Sequence, residues 1–152
     1  MDTELLLKKA QDSLAGVALE FNTPEAGRLD AFLSVDRLLE GVQIMVGAGG
    51  WHLSAMTGMD IPQNETTEGA IEVLYHFCQG PAVVTLRVQA PYGLPEIPSI
   101  CSILPSATLY ERELIEMFGL IIEETPDRSR LLLPDDWPDW VYPLRKSFKG
   151  LE

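Results

Sequence analysis

Residues 105–119, PSATLYERELIEMFG, carry a helix start signal, an apolar stripe and a helix stop signal within one stretch. Thr108 followed three residues later by Glu111 fits a capping box, in which two side chains satisfy free backbone donors at a helix start. Gly119 is the residue type that most readily ends a helix in the left-handed conformation. The pattern therefore predicts a helix from about Thr108 to Phe118.

The predicted helix is amphipathic apart from one carboxyl group. At about 100° per residue, one arc collects the apolar side chains Tyr110, Leu114, Ile115, Met117 and Phe118. Arg112, Glu113 and Glu116 lie on the opposite side with Leu109, where solvent is expected. Glu111 projects inside the apolar arc, and two interpretations stay open. Either it serves the helix start and remains solvated, or it is buried and needs a partner.

A buried Glu111 would need a group that satisfies both carboxyl oxygens. An arginine can donate to both at once, because its guanidinium is a planar fork of N–H donors. The arginines that follow the helix are Arg128, Arg130 and Arg145. We predict that Glu111 is ionised and pairs with Arg128 or Arg130 ahead of Arg145.

Three short motifs together resemble the signature of a known family. They are Tyr110-Glu111-Arg112-Glu113, Glu116-Met117-Phe118-Gly119 and Pro143-Leu144-Arg145-Lys146-Ser147-Phe148. The combination resembles the "30 kDa" subunit family of respiratory complex I, the bacterial NADH-quinone oxidoreductase. Ile97-Pro98-Ser99-Ile100 also resembles the lead-in to the helix in that family. The resemblance covers most of the chain.

The turn after the helix departs from the family pattern. Family members usually continue with a Gly-His-Pro turn, whereas residues 123–130 read EETPDRSR, without the glycine and the histidine. Related modules occur in membrane-bound hydrogenases and other complex I-like assemblies. The resemblance therefore predicts the fold and leaves the kind of complex open.

The resemblance implies a non-catalytic structural subunit of a complex I-like oxidoreductase. Such a subunit docks on the large quinone-site subunit and on cluster-bearing neighbours of the peripheral arm, while NADH oxidation and electron transfer occur elsewhere. Two alternatives are the equivalent subunit of a membrane-bound hydrogenase-type complex and a free-standing homo-oligomeric binding domain. The residues expected to have structural or interface roles are Glu111, Arg112, Glu113, Phe118, Gly119, Arg128, Arg130, Leu144, Arg145 and Phe148.

The charge balance disfavours several classes of function. The 152 residues include 23 acidic and 11 basic side chains, and their net charge is -12. A nucleic-acid binder needs a basic face, and so does a protein that adheres to an anionic membrane. No apolar run approaches the roughly 18 residues needed to cross a bilayer, and the N-terminus lacks the order of a secretory signal. We expect a cytoplasmic protein that reaches a membrane only through partner subunits.

The residues that usually hold metals or perform catalysis are few and scattered. Cys78 and Cys101 form no Cys-x-x-Cys pattern, and His52 and His76 have no metal-ligand spacing. The glycines at 47–50 follow a predicted helix and precede a strand, which is the reverse of a phosphate-binding loop. We therefore predict no cofactor, no metal and no catalytic residue of its own.

Periodicity along the rest of the chain predicts an α+β fold. The expected elements are a helix capped by Thr3, strands Val17–Phe21 and Leu29–Ser34, a helix from Ser34 or Asp36 to Gly47, strand Trp51–Met56, loop Ile61–Gly69, a hairpin of Ile71–Cys78 with Val83–Ala90, and a strand Leu120–Glu123. This order predicts a mixed, mainly antiparallel sheet with helices packed on one face. We expect a single domain, with residues 1–127 as its body.

Residues 128–152 are expected to form an extended C-terminal docking segment. Prolines at 134, 138 and 143, together with Pro126 just before the segment, prevent a long helix there. The segment is nevertheless rich in leucine and aromatic residues, so it must lie against something. It either wraps its own domain or a partner, and we favour the partner, with Leu144, Arg145 and Phe148 as its anchors.

Overall fold

The computed structural model describes residues 2–151 and confirms the α+β class. Its α-helices are α1 (Thr3–Leu14), α2 (Leu38–Gly47) and α3 (Thr108–Phe118). Its strands are β1 (Glu20–Asn22), β2 (Arg28–Phe32), β3 (His52–Ile61), β4 (Ala70–Gln79), β5 (Ala82–Pro91), β6 (Glu96–Pro98) and β7 (Ile121–Glu123). Short 3-10 helices at Val35–Arg37 and Pro105–Ala107 lead into α2 and α3.

The main sheet is mixed, as the element order predicted. Its strand order is β1-β2-β5-β4-β3. β1 pairs with β2 in antiparallel fashion, whereas β2 and β5 are parallel, with Leu29 opposite Val84. β4 and β5 are joined by Gly80 and Pro81 alone, and so short a connection requires antiparallel strands. The buried alternation of Ile71, Val73 and Tyr75 on β4 confirms the predicted hairpin face.

The chain divides into two compact units, which are described in turn. The first contains the described residues up to Met56 together with Val73–Val88. In it α1 contacts both α2 and β2, and Gly41 of α2 lies against Leu33 and Leu86, where a side chain would not fit. Arg87 donates to Asp30 at 2.9 Å and covers the ring of Phe32.

The second unit contains Thr57–Glu72 and the described residues from Gln89 onward. It is built around α3, whose Leu114 and Phe118 pack against the backbone at Gly58. β6 and β7 form a separate parallel pair, with Ile97 opposite Ile122. β6 was not expected from the sequence, because a three-residue strand between prolines shows no alternation. Between residues 124 and 151 the described chain has no helix or strand, as its prolines predicted.

Two predicted helix caps are wrong. Asp2, not Thr3, caps α1, because its side chain accepts from the backbone N–H of Leu5. The capping box of α3 does not form either. The 3-10 helix before α3 already has a helical backbone at Ala107, and Thr108 makes no side-chain cap. The stop signal is confirmed, since Gly119 has a φ of 73° in the left-handed region.

The observed bounds of β1 and β3 also differ from the predicted ones. β1 begins at Glu20, after the predicted start at Val17, because the chain at 15–17 still turns out of α1. β3 runs on to Ile61, beyond the predicted end at Met56. The sequence at Thr57 and Gly58 gives little indication of a strand, but the neighbouring strand β4 supplies hydrogen-bond partners for that backbone.

Candidate docking surface

Glu111 is buried, with 1% of its surface exposed, and the arginine pairing predicted for it is wrong. Its partners come from the loop between β6 and α3. Ser99 donates its hydroxyl to one carboxyl oxygen at 2.6 Å, and the backbone N–H of Ile100 donates to the other at 2.9 Å. The thiol of Cys101 lies 3.3 Å from the first oxygen. The carboxyl group therefore organises a local turn of the chain.

Glu116 is also buried, although its place on the helix predicted solvent. Its two oxygens accept from three successive backbone N–H groups, those of Leu131, Leu132 and Leu133, at 2.8–3.3 Å. No pattern within α3 could reveal this role, because the C-terminal segment that covers Glu116 has no periodicity. The carboxylate thus fastens that segment to the helix.

Three arginines of α3 and the segment are directed at backbone carbonyl groups. Arg112 donates to the carbonyls of Ser129 and Arg130, at 3.0 and 2.7 Å. Arg128 donates to the carbonyl of Ile122 at 2.9 Å. Arg130 donates to the carbonyl of Trp137 at 2.9 Å. Apart from Ile122, which lies in β7, the carbonyl groups that they satisfy belong to backbone without secondary structure.

Arg145 also donates to a backbone carbonyl group. Its guanidinium donates to the carbonyl of Phe118 at 2.6 Å and lies over the rings of Tyr92 and Tyr142. Next to it, Asp60 accepts from the hydroxyl of Tyr92 and from the backbone N–H of Lys146. Asp60 and Tyr92 had no signal in the sequence, since their partners are far away along the chain.

The other predicted site residues divide between packing and exposure. Phe118 is buried, and Gly119 lies against the ring of Tyr142. Phe148 faces Trp137, with ring centroids 6.0 Å apart. Leu144 is 52% exposed, whereas Glu113 is half-buried on α3. The structure thus brings most of the predicted residues into one unit, and the roles predicted for them at an interface stay predictions.

The outer side of the C-terminal segment is apolar and acidic. Leu132 is 61% exposed and Trp140 is 86% exposed. Asp135, Asp136 and Asp139 are exposed between them. Trp140, which was not among the site residues predicted from the sequence, adopts a φ of 65°, a conformation that is uncommon for any residue except glycine.

Local contacts shift several pKa values in this unit. Burial, with help from the hydrogen bond to Asp60, raises the pKa of Tyr92 to about 12. Burial also raises the pKa of the Cys101 thiol, and the neighbouring Glu111 acts in the same direction. The hydroxyl and backbone N–H of Ser129 lower the pKa of Asp127. Each of these shifts has its cause in a structural contact within the unit.

The cysteines and the other possible metal ligands are dispersed among the described residues. Cys78 and Cys101 are both free cysteines. Among residues 2–151, no three His, Cys, Asp or Glu side chains come together as metal ligands would. Within the same residues, no helix is both long enough and apolar enough to cross a membrane.

Comparison with known families identifies the chain's relatives. Residues 33–152 match the model of the family "Respiratory-chain NADH dehydrogenase, 30 Kd subunit". Hydrogenase-4 component G of Escherichia coli is 51% identical over 149 residues, which are 95% of this chain. An F(420)H(2) dehydrogenase subunit of Methanosarcina mazei is 29% identical over 154 aligned positions, which cover 99% of this chain.

These relatives differ in length, and a solved structure shares the fold. The chain spans 26% of the Escherichia coli relative and 94% of the Methanosarcina one. A chain in the structure of the membrane-bound sulfane sulfur reductase, an archaeal respiratory membrane complex, matches 97% of this chain with a TM-score of 0.80 at 24% identity. This chain covers 86% of that one. The same fold is therefore found both as a separate chain and as part of a longer protein.

Proposed function

The chain belongs to the respiratory-chain NADH dehydrogenase 30 kDa subunit family, and we propose that it is a non-catalytic structural subunit of a complex I-like oxidoreductase. In this role α3 and the C-terminal segment dock on the large quinone-site subunit, beside cluster-bearing neighbours. The partner subunits carry the redox chemistry and hold the protein at the membrane.

One observation supports a docking role more than any other. In the C-terminal segment the side chains of Arg130 and Arg145 turn inward onto carbonyl groups, while Leu132, Trp140 and Leu144 are exposed. Exposed apolar side chains thus share the outer side of the segment with exposed aspartates, while these two arginines are directed inward. A rigid backbone that presents apolar side chains is typical of a protein interface.

The predicted anchors divide into two roles in this proposal. Leu144 is exposed and is available to a partner. Arg145 holds the segment in place through Phe118 and Tyr92, and Phe148 packs on Trp137 within the segment. Holding the segment before docking reduces the conformational entropy that is lost on association.

A hydrogenase-type complex is the second candidate. It is favoured by the 51% identity to Hydrogenase-4 component G, whose name refers to a hydrogenase. In both candidates the chain has the same role, and only the complex that it joins differs.

Purification of the native assembly tests both candidates. The full chain carries an affinity tag and is expressed at its natural level. We expect the large subunit to co-purify in stoichiometric amount, and subunits for NADH or hydrogen chemistry to identify the complex. A chain that elutes only as a homo-oligomer, without the large subunit, would disprove the proposal and favour a free-standing binding domain.

A further inference from the structure

Trp140 lies in a loop, residues 134–141, that is fixed by the rest of its unit. Arg130 donates to the carbonyls of Pro134 and Trp137, at 3.5 and 2.9 Å. The indole N–H of Trp137 donates to the carbonyl of Val141 at 2.8 Å. The loop is therefore held on both sides of Trp140, although it has no secondary structure. We call residues 134–141 the Trp140 loop.

The conformation and exposure of Trp140 are both unfavourable for an isolated protein. Its φ of 65° places a large side chain in the left-handed region, which glycine or asparagine would occupy more easily. Its side chain is 86% exposed, so the indole ring gains little from folding. Backbone outliers of this kind persist where the surrounding structure enforces them, and they are often found at functional sites.

Trp140 forms a ridge between two depressions. On one side a cavity of about 280 Å³ is lined by apolar and charged residues, among them Ile115, Val141, Arg130 and Asp139. On the other side a hollow of about 320 Å³ is lined by Tyr142 and Phe148 together with Arg145 and Lys149. An exposed indole flanked by two depressions can insert into a partner while the depressions receive the partner's own side chains, which is an arrangement found at interface hot spots.

The charge around the ridge indicates the chemistry of the partner. Asp135, Asp136 and Asp139 are exposed in the Trp140 loop, and residues 134–141 contain no lysine or arginine. Arg130 is the nearest arginine along the chain before the loop, and its guanidinium donates to carbonyl groups. It also lies 3.4 Å from Asp139, whose side chain nevertheless remains 84% exposed. The exposed charges of the loop itself are therefore acidic, although Arg145 and Lys149 line the hollow beside Trp140 and residues 128–152 as a whole hold 5 basic and 4 acidic residues.

We propose that the Trp140 loop is the recognition element for the large subunit, and that Trp140 enters an apolar pocket bordered by arginine or lysine side chains. This inference rests on the proposed function and specifies the partner's surface. Aromatic residues dominate such contacts because they bury a large area with few rotatable bonds. The aspartates contribute orientation and rate of association, since rim charges act chiefly on these.

Four variants of the full chain, each co-expressed with the large subunit of its complex, test the inference. Trp140→Ala and Trp140→Gly remove the indole ring, and the glycine also removes the backbone penalty. The double variant Asp135→Lys/Asp136→Lys reverses the charge without touching the ridge. Leu94→Ala is the matched control, because Leu94 is an apolar residue of the same unit that is 59% exposed.

We expect both Trp140 variants to retain about tenfold less large subunit than the wild type, which corresponds to the loss of one hot-spot contact. Their melting temperatures should equal or exceed that of the wild type, most clearly for Trp140→Gly. The charge-reversed variant should bind more weakly and lose the salt dependence of the wild type. Leu94→Ala should bind normally.

Three results would overturn the inference. If the wild type retains the large subunit and the Trp140 variants retain it equally well, docking occurs elsewhere and only this inference fails. If Trp140→Gly melts several degrees lower, the tryptophan is a structural residue. If the wild type itself never binds the large subunit, or if Trp140 variants only dissociate a dimer of this chain, the proposed function fails as well.

Discussion

Glu111 illustrates how a buried carboxyl group can be satisfied by a nearby loop in place of a cation. A carboxyl group inside an apolar arc needs donors, and helical periodicity cannot say which donors will be supplied. The loop that precedes α3 supplies them through Ser99 and Ile100, 12 and 11 residues away along the chain. Arg128, Arg130 and Arg145 donate to backbone carbonyl groups instead.

Replacement of Glu111 by alanine should lower the free energy of unfolding by about 2–4 kcal/mol. The substitution leaves the Ser99 hydroxyl and the Ile100 N–H buried without an acceptor, and each unsatisfied donor carries a penalty. Glu111→Gln should cost less, because its carbonyl oxygen can still accept from Ile100. Urea unfolding measures both variants. Glu113→Ala on the same helix is the control, and an equal loss there would show that the effect does not come from the donors of Ser99 and Ile100.

Tyr92 should make the protein sensitive to alkali. Its pKa is raised to about 12, compared with 10.0 for a free tyrosine. Below pH 10 the hydroxyl is protonated in both states, so its stabilising contribution is complete. Between pH 10 and about 12 the unfolded chain loses the proton that the folded chain retains, and stability falls as pH rises.

Denaturant unfolding across this pH range measures the effect. Tyr92→Phe should show a flatter decline above pH 10, because the coupled proton is absent. Asp60→Asn should also flatten the decline, since the acceptor that favours the protonated phenol loses its charge. Parallel curves for wild type and Tyr92→Phe would contradict the assignment.

On the scale of elements, α3 binds and positions two segments of chain that have no regular secondary structure. Its apolar side packs in the unit, while Glu111, Arg112 and Glu116 bind backbone groups of two neighbouring loops. The bounds of the helix were predicted from its sequence, because periodicity and the glycine stop are local features. The contacts of α3 with the two loops were not predicted, because the loop sequences have no periodic pattern that indicates where the loops run.

Glu116→Gln should loosen the C-terminal segment without unfolding α3. The amide would place an NH₂ group against the N–H donors of Leu131, Leu132 and Leu133, so that bonds are lost and like groups face each other. A lowering of the local opening free energy by about 2 kcal/mol predicts trypsin cleavage after Arg128 that is more than about tenfold faster.

Limited proteolysis followed by mass spectrometry measures this cleavage. Glu113→Gln, three residues earlier on α3, is the matched control and should be cleaved like the wild type. The prediction is contradicted if both variants are cut at the wild-type rate, because the segment would then be held by other contacts.

On the scale of the whole molecule, the C-terminal segment belongs to the structure of the second unit as well as to its outer surface. Arg145 bonds the end of α3, and Lys146 bonds Asp60 of β3. The two interpretations offered by the sequence, in which the segment wraps its own domain or a partner, are therefore compatible. Its inner side packs on its own domain, and its outer side is exposed and available to a partner.

Removal of all residues after Pro134 should destabilise the protein by at least about 3 kcal/mol. The deletion leaves Asp60 without an N–H donor, exposes the ring of Tyr92 and uncovers the backbone at Gly119. Thermal and urea unfolding of the truncated chain measure the loss. A truncated chain that melts within about two degrees of the wild type would show that these contacts contribute little.

The sequence by itself determined the α+β class, the β4–β5 hairpin, the extent of α3 and the family. These follow from periods of 2 and 3.6 residues and from glycine and proline signals, all of which act over a few neighbouring residues. Only the tertiary structure decided the partners of Glu111, the burial of Glu116, the inward direction of Arg145 and the exposure of Trp140. The physical reason is that the contacts of Glu111, Glu116 and Arg145 join residues 11 to 27 positions apart through a chain without periodicity, so its path depends on which distant donors and acceptors it meets.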